Sequence, residues 1–200
     1  MTPPEPAYDL TPTSMPEPWP NATKGPATSQ DYWNLPEGRR AELVGGRLYD
    51  MAPPSRMHQR IVHMIAHLLQ SYIDEHGGPC QVYPAPFAVN LEADDATWVE
   101  PDVSVICDPA KLSDRGCEGA PDLVVEVASP SNRRMDYYVK SELYDRAGVR
   151  EYWVVDPKRL RTTIYRFGED GPIISFTPFD QPAPVGIFPG LQIAVGDLVD

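Results

Sequence analysis

Glu126 lies inside the apolar run Leu123, Val124, Val125, Glu126, Val127, where an ionised side chain is costly unless it is paired or bound to a cation. A second acid, Asp102, stands near the start of the preceding apolar run, PDVSVIC at residues 101–107. Strands close in sequence often pair in space. Two carboxylates carried to one point by two strands suggest a divalent metal. Side chains alternate along a strand, so Asp122, Val124, Glu126 and Ala128 share one face. Asp122 also follows a proline and competes with Asp102. It stands four residues from Glu126 on the same strand, roughly 13 Å at about 3.3 Å per residue, too far for one shared ion.

Other residues have chemistry to offer and a plainer reading beside it. His63 and His67 are spaced i, i+4 like a ligand pair, but they share their side with Gln59, Gln70 and Asp74, and no HExxH glutamate accompanies them. His58 falls on the apolar stripe at the start of the same helix, as a core histidine would. Glu42 has a cross-strand arginine such as Arg47 as its plain partner. Glu92, Asp94, Asp95, Glu100 and Asp102 follow one another without a basic residue, and a cation near Asp102 would relieve their repulsion. Arg133, Arg134, Lys140, Arg146 and Arg150, then Lys158, Arg159, Arg161 and Arg166, cluster around the next helix and beyond it. A solvated helix face explains them as well as a binding surface does.

These residues need elements to hold them. Residues 1–28 contain eight prolines and few aliphatic residues, which predicts a disordered or extended tail before a domain over residues 29–200. Ser29 offers an N-cap to a short turn that Pro36 would end. AELVGGRLYDM reads as a β-hairpin turning at Gly45 and Gly46. Ile61, Ile65, Leu68, Leu69 and Tyr72 recur at helical spacing, and Gly77 and Gly78 end that helix. From Cys80 to Leu91 the alternation of Phe87, Val89 and Leu91 reads as a strand, with Pro84 and Pro86 marking a bulge or an edge. Strand 101–107, a glycine-containing loop and the Glu126 strand follow. In the next helix Ser131 or Asn132 can cap, Gly148 can stop, and Met135, Val139, Leu143 and Ala147 form the stripe. Lys140 flanks that stripe, where a long amine can bury its stem and push its head toward a neighbouring sheet. EYWVVD, RTTIYRF and a closing hairpin complete an α/β layer fold with a mixed sheet.

Composition narrows the function. Hydrophobic content of 42% belongs to a globular chain, and no apolar run approaches the roughly 20 residues of a membrane helix. The N-terminus reads as no secretory signal, so cytoplasm is the default compartment and a membrane is not an expected partner. Cys80, Cys107 and Cys117 are odd in number and form no CxxC pair, which argues for reduced thiols. The net charge of −12 counts against a phosphate-tracking surface, without disposing of a local one.

From about residue 35 to 198 the chain resembles the Uma family of putative restriction endonucleases. The resemblance rests on ELVGGRLYDM, a histidine opening the long helix, EPDVSV, and the run PDLVVEVASPSNRRMDYYVKSELYDRAGVREYWVVDP. It implies the PD-(D/E)XK nuclease fold: a restriction-endonuclease-like mixed central β-sheet flanked by helices, with an additional N-terminal hairpin. Pro101-Asp102 matches the superfamily's Pro-Asp, and Glu126 matches its second acid. Its lysine would fall at Ala128, a departure repaired within the family by a lysine from the next helix, here Lys140. The resemblance further implies that Asp102, Glu126 and the carbonyl of Val127 hold Mg²⁺ or Mn²⁺, with Lys140 assisting the attacking water and Glu42 and His58 as auxiliary groups. The expected activity is metal-dependent hydrolysis of DNA phosphodiester bonds. A nuclease-fold module that binds nucleic acid or protein without cutting, and a hydrolase of small phosphate esters, are the alternatives. A two-fold dimer would serve an enzyme that cuts both strands.

Overall fold

The structure, a computed structural model, describes residues 26–130 and 133–199. The proline-rich stretch to residue 25 and the expected caps Ser131 and Asn132 lie outside the described residues. Ala27 donates its N–H to the Gly46 carbonyl at 2.7 Å. The first helix, α1 (Ser29–Trp33), is capped by Thr28, which exchanges hydrogen bonds with Asp31 in a capping box. Ser29, the expected cap, instead accepts the indole N–H of Trp98 at 2.8 Å.

The hairpin β1 (Ala41–Val44) and β2 (Arg47–Asp50) turns at Gly45 and Gly46, both at positive φ, as expected. Then come α2 (Arg56–His76), β3 (Gln81–Pro84), β4 (Val89–Asn90), β5 (Trp98–Val99) and β6 (Val103–Ile106). The hairpin β7 (Leu112–Ser113) and β8 (Gly116–Glu118) precedes β9 (Leu123–Val127). A wide π-helical turn, Met135–Val139, runs into α3 (Lys140–Ala147), which Gly148 stops in the left-handed region. The chain continues through β10 (Glu151–Asp156), β11 (Arg161–Arg166), β12 (Ile173–Pro178) and the short pair β13 (Ala183–Pro184) and β14 (Gln192–Ile193).

The central sheet runs β12-β11-β10-β9-β6-β3 and is mixed, because β9 and β10 are parallel while the other neighbours are antiparallel. Both of its faces are covered, which is why β9 reads as a nearly unbroken apolar run. On one face α2 packs Ile61, Ile65 and Leu69 against Val103, Val125 and Val127. On the other, Leu143 and Tyr144 of α3 meet Val124 and Val154. A second sheet, β2-β1-β5-β4-β8-β7, carries the N-terminal hairpin beside that second face. Its strands β5, β7 and β8 fall in stretches read as loops, since two or three residues are too few to show alternation.

Three expectations need correction: the stretch 80–91 is not one strand but two, β3 and β4, which belong to different sheets and are parted at the Pro84 and Pro86 positions. The inward side of the second helix is Asp136, Lys140, Leu143 and Tyr144, not Met135, Val139, Leu143 and Ala147. These positions are spaced i, i+4, i+7 and i+8, so the buried stripe has the helical period but carries an acid, a lysine and a tyrosine that an apolar template passes over. Lys140 is therefore buried rather than marginal. Cys80 and Cys107 are joined as a disulfide, and only Cys117 is a free, buried thiol among the described residues. Gln81 pairs with Ile106 across β3 and β6, so the next residues outward, Cys80 and Cys107, stand opposite each other, which no cysteine count reveals. Among the described residues no helix is long and apolar enough to cross a membrane.

Candidate active site

The antiparallel register of β6 and β9 pairs Val103 with Val125, and one step further out Asp102 stands opposite Glu126. Asp102 Oδ2 accepts the Val127 N–H at 2.7 Å, pinning the loop before β6 to the end of β9. β9 and β10 are parallel, so their carboxyl ends finish together, the usual place for a ligand in an open sheet. A cavity of about 700 Å³ opens there, and Glu42, His58, Asp102, Glu126, Val127 and Lys140 all line it. The six residues that the resemblance assigns to catalysis, metal binding and auxiliary contacts are thus brought to one place.

Lys140 ties three elements together. Its Nζ donates to Glu126 Oε1 on β9 at 2.7 Å and to Glu42 Oε1 on β1 at 2.9 Å. Glu42 Oε1 also accepts the Glu100 N–H at 3.1 Å. The plain partner expected for Glu42 is absent: it faces Tyr49 across the hairpin, and Arg47 is exposed. Tyr144, one helical turn after Lys140, donates its hydroxyl to Glu126 Oε1 at 2.8 Å. Asp136, one turn before Lys140, is buried on the same side. Neither was singled out from the sequence, although spacing of four residues from Lys140 was the available signal.

Burial dominates the electrostatics. It pushes the Glu126 carboxyl up to about 7, with Lys140 pulling the other way. Burial likewise raises Asp136 well above the carboxylate range, again opposed by Lys140. For Lys140 burial favours the neutral amine, but Glu126, Glu42 and Asp136 outweigh it and hold the ammonium charged. His58 is half-buried at the start of α2, and its Nε2 stands 3.1 Å from Asp102 Oδ2. Burial works against its protonation, yet the Asp102 hydrogen bond and the charges of Asp102 and Glu126 raise its pKa overall.

The remaining candidates are disposed of elsewhere. His63 and His67 are exposed. Asp122 accepts from the Cys107 N–H and pairs with Arg150. Repulsion in the acidic stretch is relieved by arginines, since Glu92 pairs with Arg146 and Glu100 with Arg40. Among the described residues no group of three or more His, Cys, Asp or Glu side chains forms a metal cage. The donors at hand are two carboxylates and the Val127 carbonyl, a hard oxygen set that suits Mg²⁺ or Mn²⁺ keeping several waters. Glu126 accepts its hydrogen bonds through Oε1, and Asp102 its contacts through Oδ2. The second oxygen of each accepts no hydrogen bond from the described residues, so the donor chemistry fits an oxygen-bound ion.

Known proteins share this arrangement of elements. A crystal structure of a putative nuclease belonging to DUF820 from Anabaena variabilis superposes with a TM-score of 0.69, covering 87% of this chain and 98% of that one at 20% identity. That likeness establishes the restriction-endonuclease-like fold. An uncharacterized protein of Synechocystis sp., slr1290, is 28% identical over 140 residues, which is 70% of this chain and 72% of the relative. Residues 29–196 match the family Uma2, described as putative restriction endonuclease, and the chain belongs to that family.

Proposed function

We propose that this protein is a Mg²⁺- or Mn²⁺-dependent endonuclease that hydrolyses DNA phosphodiester bonds. The observation that carries the reading is the position of Lys140, whose Nζ stands 2.7 Å from Glu126 Oε1 in the cavity that Asp102 also lines. Asp102, Glu126 and the Val127 carbonyl would hold the ion, which when bound polarises the scissile phosphate and lowers the pKa of a coordinated water. Lys140 holds the attacking water and offsets negative charge as it grows on the phosphorane-like transition state, a preorganised electrostatic effect of a few kcal/mol. Glu42 keeps the ammonium in place from the second sheet, and Tyr144 fixes the rotamer of Glu126. His58 orients Asp102. Water adds to phosphorus and the bond to the leaving oxygen breaks.

The test is incubation of the full chain with plasmid, single-stranded DNA and nucleotide phosphate esters, each with Mg²⁺, Mn²⁺ and EDTA. Metal-dependent cleavage of DNA, lost in Glu126→Gln and in Lys140→Ala, is the expected result. Turnover of the small esters alone would replace the reading with a phosphate-ester hydrolase. No turnover of any substrate, with DNA still bound, would make the protein a non-cutting nuclease-fold module.

A further inference from the structure

The basic residues around the second helix and the strand after it are not one solvated face, because the structure divides them. Arg146 pairs with Glu92, Arg150 with Asp122, and Arg166 lies 3.8 Å from Glu151. Lys140 belongs to the buried site. What remains near the cavity is organised by Asp156, which is fully buried at the carboxyl end of β10. Its Oδ1 accepts the N–H groups of Lys158 and Arg159, both at 3.1 Å, which fixes the turn into β11. Its two oxygens also take the Arg133 guanidinium as a fork, at 2.8 and 3.0 Å. Burial alone would raise the Asp156 carboxyl, but these hydrogen bonds hold it below its usual range.

Asp156 thus pairs with the Arg133 guanidinium, lies 3.8 Å from that of Arg159, and fixes through backbone N–H groups the turn that carries Lys158. Lys158 is exposed, lines the same cavity as Glu126, and has no acidic partner among the described residues. Arg134 is likewise exposed and without an acidic partner there, next to Met135, which lines the cavity. Positive charge without an acidic partner, carried on a fixed turn at the mouth of an acidic site, on a chain of net charge −12, is what an extended polyanion needs in order to approach. Phosphate contacts position such a ligand without reading its bases.

We infer that the 156–159 turn, through Lys158 and with Arg134 beside it, is the surface that holds the phosphodiester backbone flanking the bond in the cavity. This rests on the phosphodiesterase reading above and adds where the strand lies. Binding of labelled single- and double-stranded DNA to full-length Glu126→Gln protein is measured by anisotropy over a salt series, with and without Lys158→Ala and Arg134→Ala. Each substitution should weaken binding and lower the slope of log affinity against log salt by about 0.7–0.9, the value for one lost phosphate contact. Arg150→Ala, exposed at the opposite end of β10 beside Asp122, should leave the slope unchanged. An unchanged slope in Lys158→Ala, or an equal fall in Arg150→Ala, overturns the rim while leaving the nuclease reading intact. If the parent protein binds neither form of DNA, both fall together.

Discussion

Among the described residues two buried glutamates are each held by a cation and a tyrosine hydroxyl, and the two clusters are wired differently. Glu100 accepts the Tyr32 hydroxyl on Oε1 at 3.0 Å and two Arg40 nitrogens on Oε2 at 3.0 and 2.6 Å. Both of its oxygens are occupied, and the planar guanidinium is fixed by two bonds to one oxygen. Glu126 receives both of its donors, Lys140 and Tyr144, on the single oxygen Oε1. Its other oxygen accepts no hydrogen bond from the described residues, and a second acid, Asp102, stands opposite across the β6–β9 pair. The cation differs in kind as well. Arg40 is partly exposed, whereas Lys140 is buried and shared with Glu42. The saturated cluster pins the N-terminal hairpin to the end of β5; the other leaves one carboxylate oxygen without a hydrogen bond from the described residues, as the proposed metal site requires.

The sharpest way to break this comparison is to neutralise each glutamate in turn. Glu126→Gln should reduce metal-dependent cleavage by about 10²–10³-fold or more, the scale of losing one preorganised electrostatic group, while Glu100→Gln should leave it within a few-fold. The same Gln variant should also erase the rise in melting temperature that Mg²⁺ gives the parent protein by mass action. Equal losses of activity in the two variants would show that the clusters are not functionally distinct.

Lys140→Ala should lower the stability of the metal-free protein by about 3 kcal/mol, since it strands buried carboxylates that had one shared partner. Mg²⁺ should restore more stability to this variant than to the parent, because the ion replaces the missing charge, while cleavage stays lost. Lys140→Arg should recover little, as a planar fork cannot copy a compact ammonium. Denaturant titrations with and without Mg²⁺ measure this directly. Full activity in Lys140→Ala would remove the lysine from the mechanism.

A smaller effect separates the two tyrosines. Tyr32→Phe and Tyr144→Phe should each cost about 1.5 kcal/mol for a hydrogen bond to a charged group, read from urea midpoints. Only Tyr144→Phe should also slow cleavage. If Tyr32→Phe slows it as much, the N-terminal cluster acts on the site through Glu42, whose Oε1 accepts the Glu100 N–H.

The mildest prediction concerns pH. The Glu126 carboxyl titrates near 7 in the folded, metal-free protein and near its ordinary value, about 4.3, when unfolded. The folded state therefore binds the proton more tightly, so this group's contribution falls as pH rises from the unfolded value through about 7. Stability measured in EDTA should decline over that window. The decline should be smaller in Glu126→Gln and should persist in Glu100→Gln. A parent protein whose EDTA stability is flat across the window would argue that Lys140 keeps Glu126 fully ionised.

The sequence by itself determined the longer elements and the chemical types of the site, while the two- and three-residue strands β5, β7 and β8 left no readable pattern. A lone acid in an apolar strand, a second acid at the head of the preceding strand, and helical periodicity with glycine stops are local signals, and each corresponds to a feature of the fold. The same holds for the hairpin, whose two glycines meet a backbone demand that is written locally. The pairing that makes the site was decided by tertiary structure. Glu42 meets Lys140 across 98 residues, and only the packing of the second sheet beside α3 brings them together. Lys140 is central rather than marginal because the inward face of the helix carries Asp136, Lys140 and Tyr144, polar groups that an apolar template assigns to solvent and that only their mutual pairing allows to be buried. Cys80 and Cys107 bond because an antiparallel register sets them opposite each other. Charge was the least legible property. The run of basic residues looks uniform along the chain, yet folding gives most of them an acid from another element and leaves Arg134, Lys158 and Arg161 without one among the described residues, Arg161 lying over the Phe176 ring instead, because neutralisation depends on spatial neighbours and sequence order does not supply them.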